Sequence, residues 1–530
     1  MTIPLLHERI LADRAQFSDH QAIAWEGGHL SHRELRTKSI QLAHVLAEYG
    51  VGHGDRVAIC MPKCQEAVQS ILAILSLGAA YVPIDDHSPP RRILQILADA
   101  QPRLTLTTSG VIESLRLSPS DVTVSASQRD AAGISRFITV DQEVRGHGFL
   151  TKLKSLNALP HNPSQSLDDL AAILYTSGSS GTPKGVQLTH RNISGFAQWA
   201  IKRFQFKPND RFANHASLHF DLSTLDLFAS LDIGASIFLI DAKTVRFPNA
   251  VANLIAKQKI TVWYSVPTAL RMLCEYGALE QKDMKTLRWV FFAGEVLPIP
   301  TLRSLMQTLD SARFVNFYGP TETNVCTYHE VDKVPELSDT AIPIGIPCEH
   351  LEVDVYRADG SLAEQDEVGE ICVFGTNVTP GYWRNQQLSQ SVRLEMRQDS
   401  YLTGDLGHRD QSGQLWFHGR NDDQIQFRGH RLELAAIEAH LTSHPLVTQA
   451  AACVTDAGRL ESKLIVFVET LENKSPTEEA LRKHCEMRLP SYAVPSLYFL
   501  MDRLPLSSNG KVARSELMKT LDQRFSPGVR

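Results

Sequence analysis

The chain has 530 residues, 43% of them hydrophobic and 21% charged, with a formal net charge of −6. That length exceeds what one ordinary hydrophobic core supports, so two or more domains are expected. The mildly acidic balance excludes a general basic surface, and no apolar run reaches membrane-spanning length, so neither nucleic acid nor a membrane is an expected partner. The eight cysteines are scattered without metal-ligand spacing, the N-terminus lacks a signal-peptide pattern, and the chain reads as cytoplasmic with reduced thiols.

In chain order, helical spacing covers 32–49, a strand follows at 56–61, a helix at 64–78 and a strand at 79–84. Further apolar runs at 104–108, 137–140, 171–175, 236–240, 261–265 and 289–292 read as strands. This alternation is that of an α/β fold. Residues 109–165 are rich in Ser, Asp and Asn and read as surface loops. From about 340 the texture changes to strands with Gly-rich turns, at 353–356, 370–374 and 414–417, as in a smaller β subdomain. A charged stretch at 419–431 then precedes a helix at 434–441, a strand at 463–469 and a helix at 476–489, which read as an α+β domain.

Four segments carry chemistry. The first, LYTSGSSGTPKG at 174–185, places Thr176, Ser177, Gly178, Ser179, Ser180, Gly181, Thr182 and Lys184 after an apolar strand. Glycines let a backbone approach a ligand closely, and hydroxyls, N–H groups and a lysine suit polyphosphate oxygens. The spacing is not that of a Walker loop. The second, Asn316-Phe317-Tyr318-Gly319-Pro320-Thr321-Glu322-Thr323, joins a ring able to stack on a base to a hard-oxygen carboxylate suited to Mg²⁺. Alone, it is also ordinary turn chemistry. In the third, Asp405 is placed to accept ribose hydroxyls or to cap a turn, and Arg420 follows fifteen residues later. Asp422 stands where the texture changes and is a candidate hinge. The fourth sets Lys511 on a Ser/Asn/Gly turn, where a lysine is either merely solvated or able to reach a cleft and neutralise phosphoryl-transfer charge.

Together these segments resemble the ANL superfamily of adenylate-forming enzymes, specifically the adenylation domains of nonribosomal peptide synthesis. The likeness runs from SHRELRTKSIQLAHVL (31–46) and LAILSLGAAYVPID (72–85) to NGKVAR (509–514). The resemblance implies an α/β fold: a large N-terminal domain of stacked α/β subdomains plus a β subdomain (1–421), and a small mobile α+β C-terminal domain (422–530) that turns about Asp422. It implies that the loop from Thr176 to Lys184 binds the ATP phosphates and that Tyr318 stacks on adenine, with Gly319 beside it and Asn316, Gly294 and Glu295 nearby. Thr321 then contacts phosphate, Glu322 holds Mg²⁺, and Asp405 and Arg420 bind ribose. Lys511 contacts the substrate carboxylate and phosphate. The implied reaction is carboxylate plus ATP giving acyl-adenylate and pyrophosphate, then thioester formation. Gln426 stands where relatives often carry a lysine.

Asp221 falls where amino-acid-activating members of the family place the partner of the α-amino group. An acid in an apolar pocket favours a cationic substrate; the plainer alternative is a helix-start aspartate. The resemblance assigns Leu222, Leu225, Tyr264, Phe291, Ala293, Phe317, Val325 and Cys326, with Lys511, to the rest of the pocket. This lining carries no second charge against the side chain and leaves little room for Trp or Tyr. It is similar to that of free-standing enzymes that load L-proline onto a carrier protein in prodigiosin-, pyoluteorin- and anatoxin-type pathways, with leucine or valine as alternatives on shape. The chain ends nineteen residues after Lys511 without a Gly-x-Ser attachment site, so the expected thiol acceptor is the phosphopantetheine arm of a separate peptidyl carrier protein. An acyl- or aryl-CoA ligase is the rival within the same chemistry, against which Asp221 argues. A non-catalytic nucleotide-binding protein is the rival from another class.

Overall fold

Two sheets rich in parallel pairs account for the alternating first part of the sequence. The structure, a computed structural model, describes residues 3–115, 136–140, 165–178, 182–339, 341–394, 397, 399–421, 424–455, 462–471, 475–505, 512, 514 and 516–519. Contacts divide the chain into two units. The first comprises Met1–Asp86, Ile96–Tyr175 and Gly185–Asn421; the second comprises His87–Gln95, Thr176–Lys184 and Asp422–Arg530.

In the first unit, one six-stranded sheet runs Arg136–Thr139, Leu104–Thr107, Arg56–Cys60, Ala80–Pro83, Leu170–Thr176, Lys184–Thr189. Its central pairs are parallel. A strand between two parallel neighbours is covered on both faces, which is why Val57, Ala58, Ile59 and Cys60 are all apolar and buried. The crossover helix Gln65–Ser76 is buried from Ala67 to Ser76, so it is apolar nearly all round rather than striped. Helix His32–Glu48 starts at a capping box in which Ser31 and Glu34 satisfy each other's backbone N–H groups.

A nine-stranded sheet runs Ile346–Pro347, Thr327–Val331, Arg313–Tyr318, Trp289–Ala293, Val262–Ser265, Arg211–Asn214, Ser236–Leu239, Gln21–Trp25, Gly28–Ser31. Its middle strands are parallel in register: Asn214 pairs with Tyr264, Tyr264 with Phe291, and Ala293 with Phe317. An antiparallel four-stranded sheet, Leu351–Tyr356, Gly369–Gly375, Ser400–Arg409, Leu415–Arg420, forms the β subdomain.

The C-terminal segment of the second unit includes the hairpin Gln424–Phe427 and His430–Glu433. Its two-residue turn holds Arg428 at φ 52° and Gly429 at φ 82°, as a type I′ turn requires. Helices Leu434–Thr442 and Glu478–Glu486 pack with strands Val447–Val454, Leu464–Thr470 and Leu497–Met501 around Phe427, Ile437, Leu441, Leu464, Val466 and Leu481. The sequence reads 419–431 only as a charged stretch; alternation of Ile425 and Phe427 with polar residues is too short a signal to mark the hairpin. Within 109–165, the strand expected at 137–140 is present as Arg136–Thr139, while Ser109–Leu115 is helical rather than loop. Among the described residues, no helix is long and apolar enough to cross a membrane.

Candidate functional site

In open α/β sheets, ligands collect beyond the carboxyl ends of the strands. Four parallel strands of the nine-stranded sheet end at Asn214, Ser265, Ala293 and Tyr318. Side chains alternate faces along a strand, so the pairing register puts Tyr264, Phe291, Ala293 and Phe317 on one face. All four belong to one buried cluster with Leu225 and Val325, while Trp263, Val290 and Phe292 face the opposite core. Phe291 and Phe317 stack at 4.8 Å and 9°, and the Tyr264 ring stands edge-on to both, at 6.3 and 5.6 Å. These are the geometries that ring quadrupoles favour. Cys326 is buried and its thiol is held protonated by burial, which pushes its pKa up to about 12.

Asp221 is half-buried, and its Oδ1 accepts the Leu222 N–H at 2.9 Å. Its own carbonyl accepts from the Thr224 hydroxyl at 2.6 Å. Leu222 packs partly buried against the same core. The chain then enters a π-helical turn, Leu225–Ala229, every residue of which is buried. Such turns are rare and frequent at functional sites. Burial, then the charges of Asp221 and Asp226, push the Tyr264 phenol well above its ordinary pKa, so both carboxylates lie within electrostatic reach of that ring.

The residues assigned to the nucleotide base and ribose meet within the first unit. The Tyr318 hydroxyl donates to Asp405 Oδ2 at 2.6 Å, and the Arg420 guanidinium donates to Asp405 Oδ1. Asp405 and Arg420 are cross-strand partners, which fixes their approach. Gly319 admits no side chain: a Cβ there would stand 1.8 Å from the Asn324 carbonyl oxygen. Glu322 is fully buried, and its Oε1 accepts from the Tyr382 hydroxyl at 2.7 Å. Thr321 beside it is half-buried. Asn316 Nδ2 donates to the Pro343 carbonyl at 2.9 Å. Gly294 takes φ +93°, and the Glu295 carboxylate accepts from the Thr268 hydroxyl at 2.6 Å.

Within the second unit, Ser177 Oγ donates to the Arg431 carbonyl at 2.9 Å and Lys184 Nζ pairs with Glu433 Oε1 at 3.0 Å. Gln424 donates to the same oxygen at 2.8 Å. Gly178 is required by the loop, because a Cβ would meet the Thr182 carbonyl oxygen at 2.3 Å. The Thr176 hydroxyl is buried without a partner among the described residues. Gln426 is exposed on its strand. Ser179, Ser180, Gly181, Asp422 and Lys511 lie outside the described residues.

Sequence reading gave no role to several residues that touch these groups. Tyr382 sits on the Glu322 carboxylate. Phe204 packs behind Phe291 and Phe317, at 4.8 and 5.6 Å. The partly buried Lys63 joins the fully buried Asn214 and Asp226 in a polar group beside the Asp221 loop. Lys63, isolated in an otherwise uncharged run from 57 to 65, is the one signal available from sequence.

A family model described as AMP-binding enzyme matches residues 11–383, and one described as AMP-binding enzyme C-terminal domain matches 436–511. The chain is 35% identical over 520 residues to an L-proline–L-prolyl-carrier protein ligase of Pseudomonas fluorescens, covering 98% of this chain and 99% of that one. It is 37% identical over 492 residues to a ligase of the same name from Streptomyces coelicolor, covering 91% and 90%. Among solved structures, an amide bond synthetase from Marinactinospora thermotolerans superposes with a TM-score of 0.84 at 22% identity, over 98% of this chain and 99% of that one, a likeness of fold. An NRPS protein containing adenylation and PCP domains gives 0.81 at 25% identity, over 98% of this chain and 84% of that one.

Proposed function

We infer, for a chain that belongs to the AMP-binding enzyme family, that it activates L-proline as prolyl-AMP and passes the prolyl group to the phosphopantetheine thiol of a separate peptidyl carrier protein. The observation that carries this reading is the likeness, over nine-tenths or more of each chain, to two L-proline–L-prolyl-carrier protein ligases from different bacteria. In the first step a carboxylate oxygen of proline attacks the α-phosphorus of ATP and the bond to pyrophosphate breaks. In the second, the thiol sulfur attacks the acyl carbon, AMP leaves and the thiol proton is released. The first step is needed because a carboxylate is a poor electrophile until its oxygen is made a leaving group.

In this reading Asp221 pairs with the secondary ammonium of proline. Leu222, Leu225, Tyr264, Phe291, Ala293, Phe317, Val325 and Cys326 enclose the ring, and the buried, ring-walled face described above supports a small apolar side chain. Tyr318 and Gly319 take the adenine, with Asn316, Gly294 and Glu295 around it, and Asp405 with Arg420 takes the ribose. The loop Thr176, Ser177, Gly178, Ser179, Ser180, Gly181, Thr182, Lys184 takes the phosphates. Two features of that loop fit a phosphate: a turn too tight for any side chain at Gly178, and a buried Thr176 hydroxyl without a partner among the described residues. Thr321 contacts phosphate, and Glu322 offers the hard-oxygen carboxylate that Mg²⁺ takes. When bound, that ion neutralises charge on the phosphate oxygens. Lys511 contacts the proline carboxylate and phosphate. Residues 1–421 form the core and 422–530 the lid, turning at Asp422. None of the eight cysteines, all among the described residues, is in a disulfide, which supports a cytoplasmic site of action.

Hydroxylamine trapping tests the reaction. With ATP and Mg²⁺, prolyl hydroxamate, AMP and pyrophosphate form in equal amounts; hydroxamate from no amino acid refutes the assignment.

A further inference from the structure

The loop that bears Asp221 is fastened at its base. Lys63 lies just before the helix Gln65–Ser76. Its Nζ donates to the carbonyls of Asn214 at 2.8 Å, His215 at 3.0 Å and Ala216 at 3.1 Å. These three consecutive residues stand where the strand Arg211–Asn214 ends and the loop begins. An ammonium has three donors and no acceptor, so Lys63 has all three engaged on backbone and none left for a ligand. Burial pulls its pKa down to about 7 against the charges of Asp226 and Asp241, but three carbonyl acceptors match only the form with three N–H bonds.

The far end of the loop returns to the same point. Asn214 Nδ2 donates to Asp226 Oδ2 at 3.2 Å, closing the segment 214–226 on itself. Both residues are fully buried, and Oδ1 of each is buried without a partner. Burial raises the Asp226 carboxyl well above the usual carboxylate range, which favours the neutral acid at this buried contact. Asp221 lies between these two anchors, near the middle of the closed loop. Its backbone position therefore depends on a base held by one ammonium and one acid–amide contact.

We propose that Lys63 is a positioning residue for amino-acid recognition: it fixes the base of the loop 214–226, so that the Asp221 carboxylate is held where it meets the substrate ammonium. This rests on the reading of Asp221 as the partner of the α-amino group. Lys63 touches neither substrate, and its effect falls on one of them. A carboxylate displaced by a fraction of an ångström loses its alignment with the ammonium while the nucleotide residues on the strands ending at Tyr318 and Arg420 stay in place.

The test is steady-state pyrophosphate exchange by the full chain carrying K63M or K63R, with thermal melting of each. K63M is expected to raise KM for proline about tenfold or more and to leave KM for ATP within about twofold. K63R, with five N–H donors for the same carbonyls, is expected to recover at least half of that loss on a logarithmic scale. Equal changes in both KM values, or a K63R variant as impaired as K63M, overturn the proposal in favour of a general structural role. If K63M does not fold, Asp226→Ala removes the other anchor without adding volume to a buried site and must give the same split between the two KM values. The wild-type panel separates this from the substrate assignment: if another amino acid exchanges faster than proline, that assignment fails, and the Lys63 test is run with the faster substrate.

Discussion

Replacing Phe204 with alanine probes the wall behind the proposed amino-acid pocket. Phe204 closes the helix His190–Phe204 and is 1% exposed. Its ring lies 4.8 Å from Phe291, 5.6 Å from Phe317, 5.5 Å from Trp199 and 5.1 Å from Trp289. Removing a fully buried phenylalanine typically lowers stability by about 3–5 kcal/mol, and the loss of several aromatic contacts places this one toward the upper end of that range. The vacated volume, on the order of 100 Å³ at about 24 cal/mol per Å³ of residual cavity, supplies roughly 2.4 kcal/mol of it if the site does not collapse. Phe291 and Phe317 lose their backing, and the pocket gains depth. The ratio of kcat/KM for leucine or phenylalanine over proline should then rise about tenfold, the scale of one to two methylenes in an apolar pocket. Urea unfolding and pyrophosphate exchange with the three amino acids measure the two effects. A stability loss below about 1 kcal/mol, or an unaltered amino-acid preference at full stability loss, refutes the reasoning that this ring sets the pocket floor.

Two further outcomes are expected. Asp221→Asn removes the carboxylate proposed to pair with the substrate ammonium and should lower kcat/KM for the amino acid by about 2–5 kcal/mol, or roughly thirty- to several-thousand-fold, with ATP affinity unchanged in a binding titration. Acid should destabilise the protein through the buried His7, His32 and His190 and the partly buried His215. Burial depresses His7 and His215 to about 3 and His32 and His190 to about 4, the charge of His190 adding to the effect on His7. A folded pKa below the unfolded value means that the unfolded chain takes up the proton first, so stability is full above about 6.5 and falls as pH drops toward 4. Between pH 7.5 and 5 each group removes about 2 kcal/mol, and urea midpoints measured at the two values should show a large loss; equal midpoints contradict the burial of these rings as neutral groups.

What was legible in sequence was what local chemistry encodes. The apolar runs at 56–61 and 171–175 mark strands because parallel neighbours demand apolar faces on both sides. Gly178 and Gly319 stand in motifs whose backbone admits no Cβ, and the structure gives the clash that excludes one. Asp405 and Arg420, fifteen residues apart, prove to be cross-strand partners, which no spacing rule reveals. The helix His190–Phe204, the hairpin Gln424–Phe427 and His430–Glu433, and the π-helical turn Leu225–Ala229 went unread, the last because an extra residue per turn leaves no compositional trace. Phe204 was invisible, and Lys63 was marked only by its isolation in an uncharged run, for a different reason. Their importance lies in partners more than eighty residues away, the carbonyls at 214–216 and the ring of Phe291, and only the packed sheet brings those together.

The central claim is tested most directly by ATP–pyrophosphate exchange with the twenty common amino acids offered singly. The account predicts that L-proline supports the fastest exchange, with leucine and valine well below it and charged or large aromatic amino acids near background. Dominant exchange with leucine or any other amino acid, or none with all twenty, contradicts it.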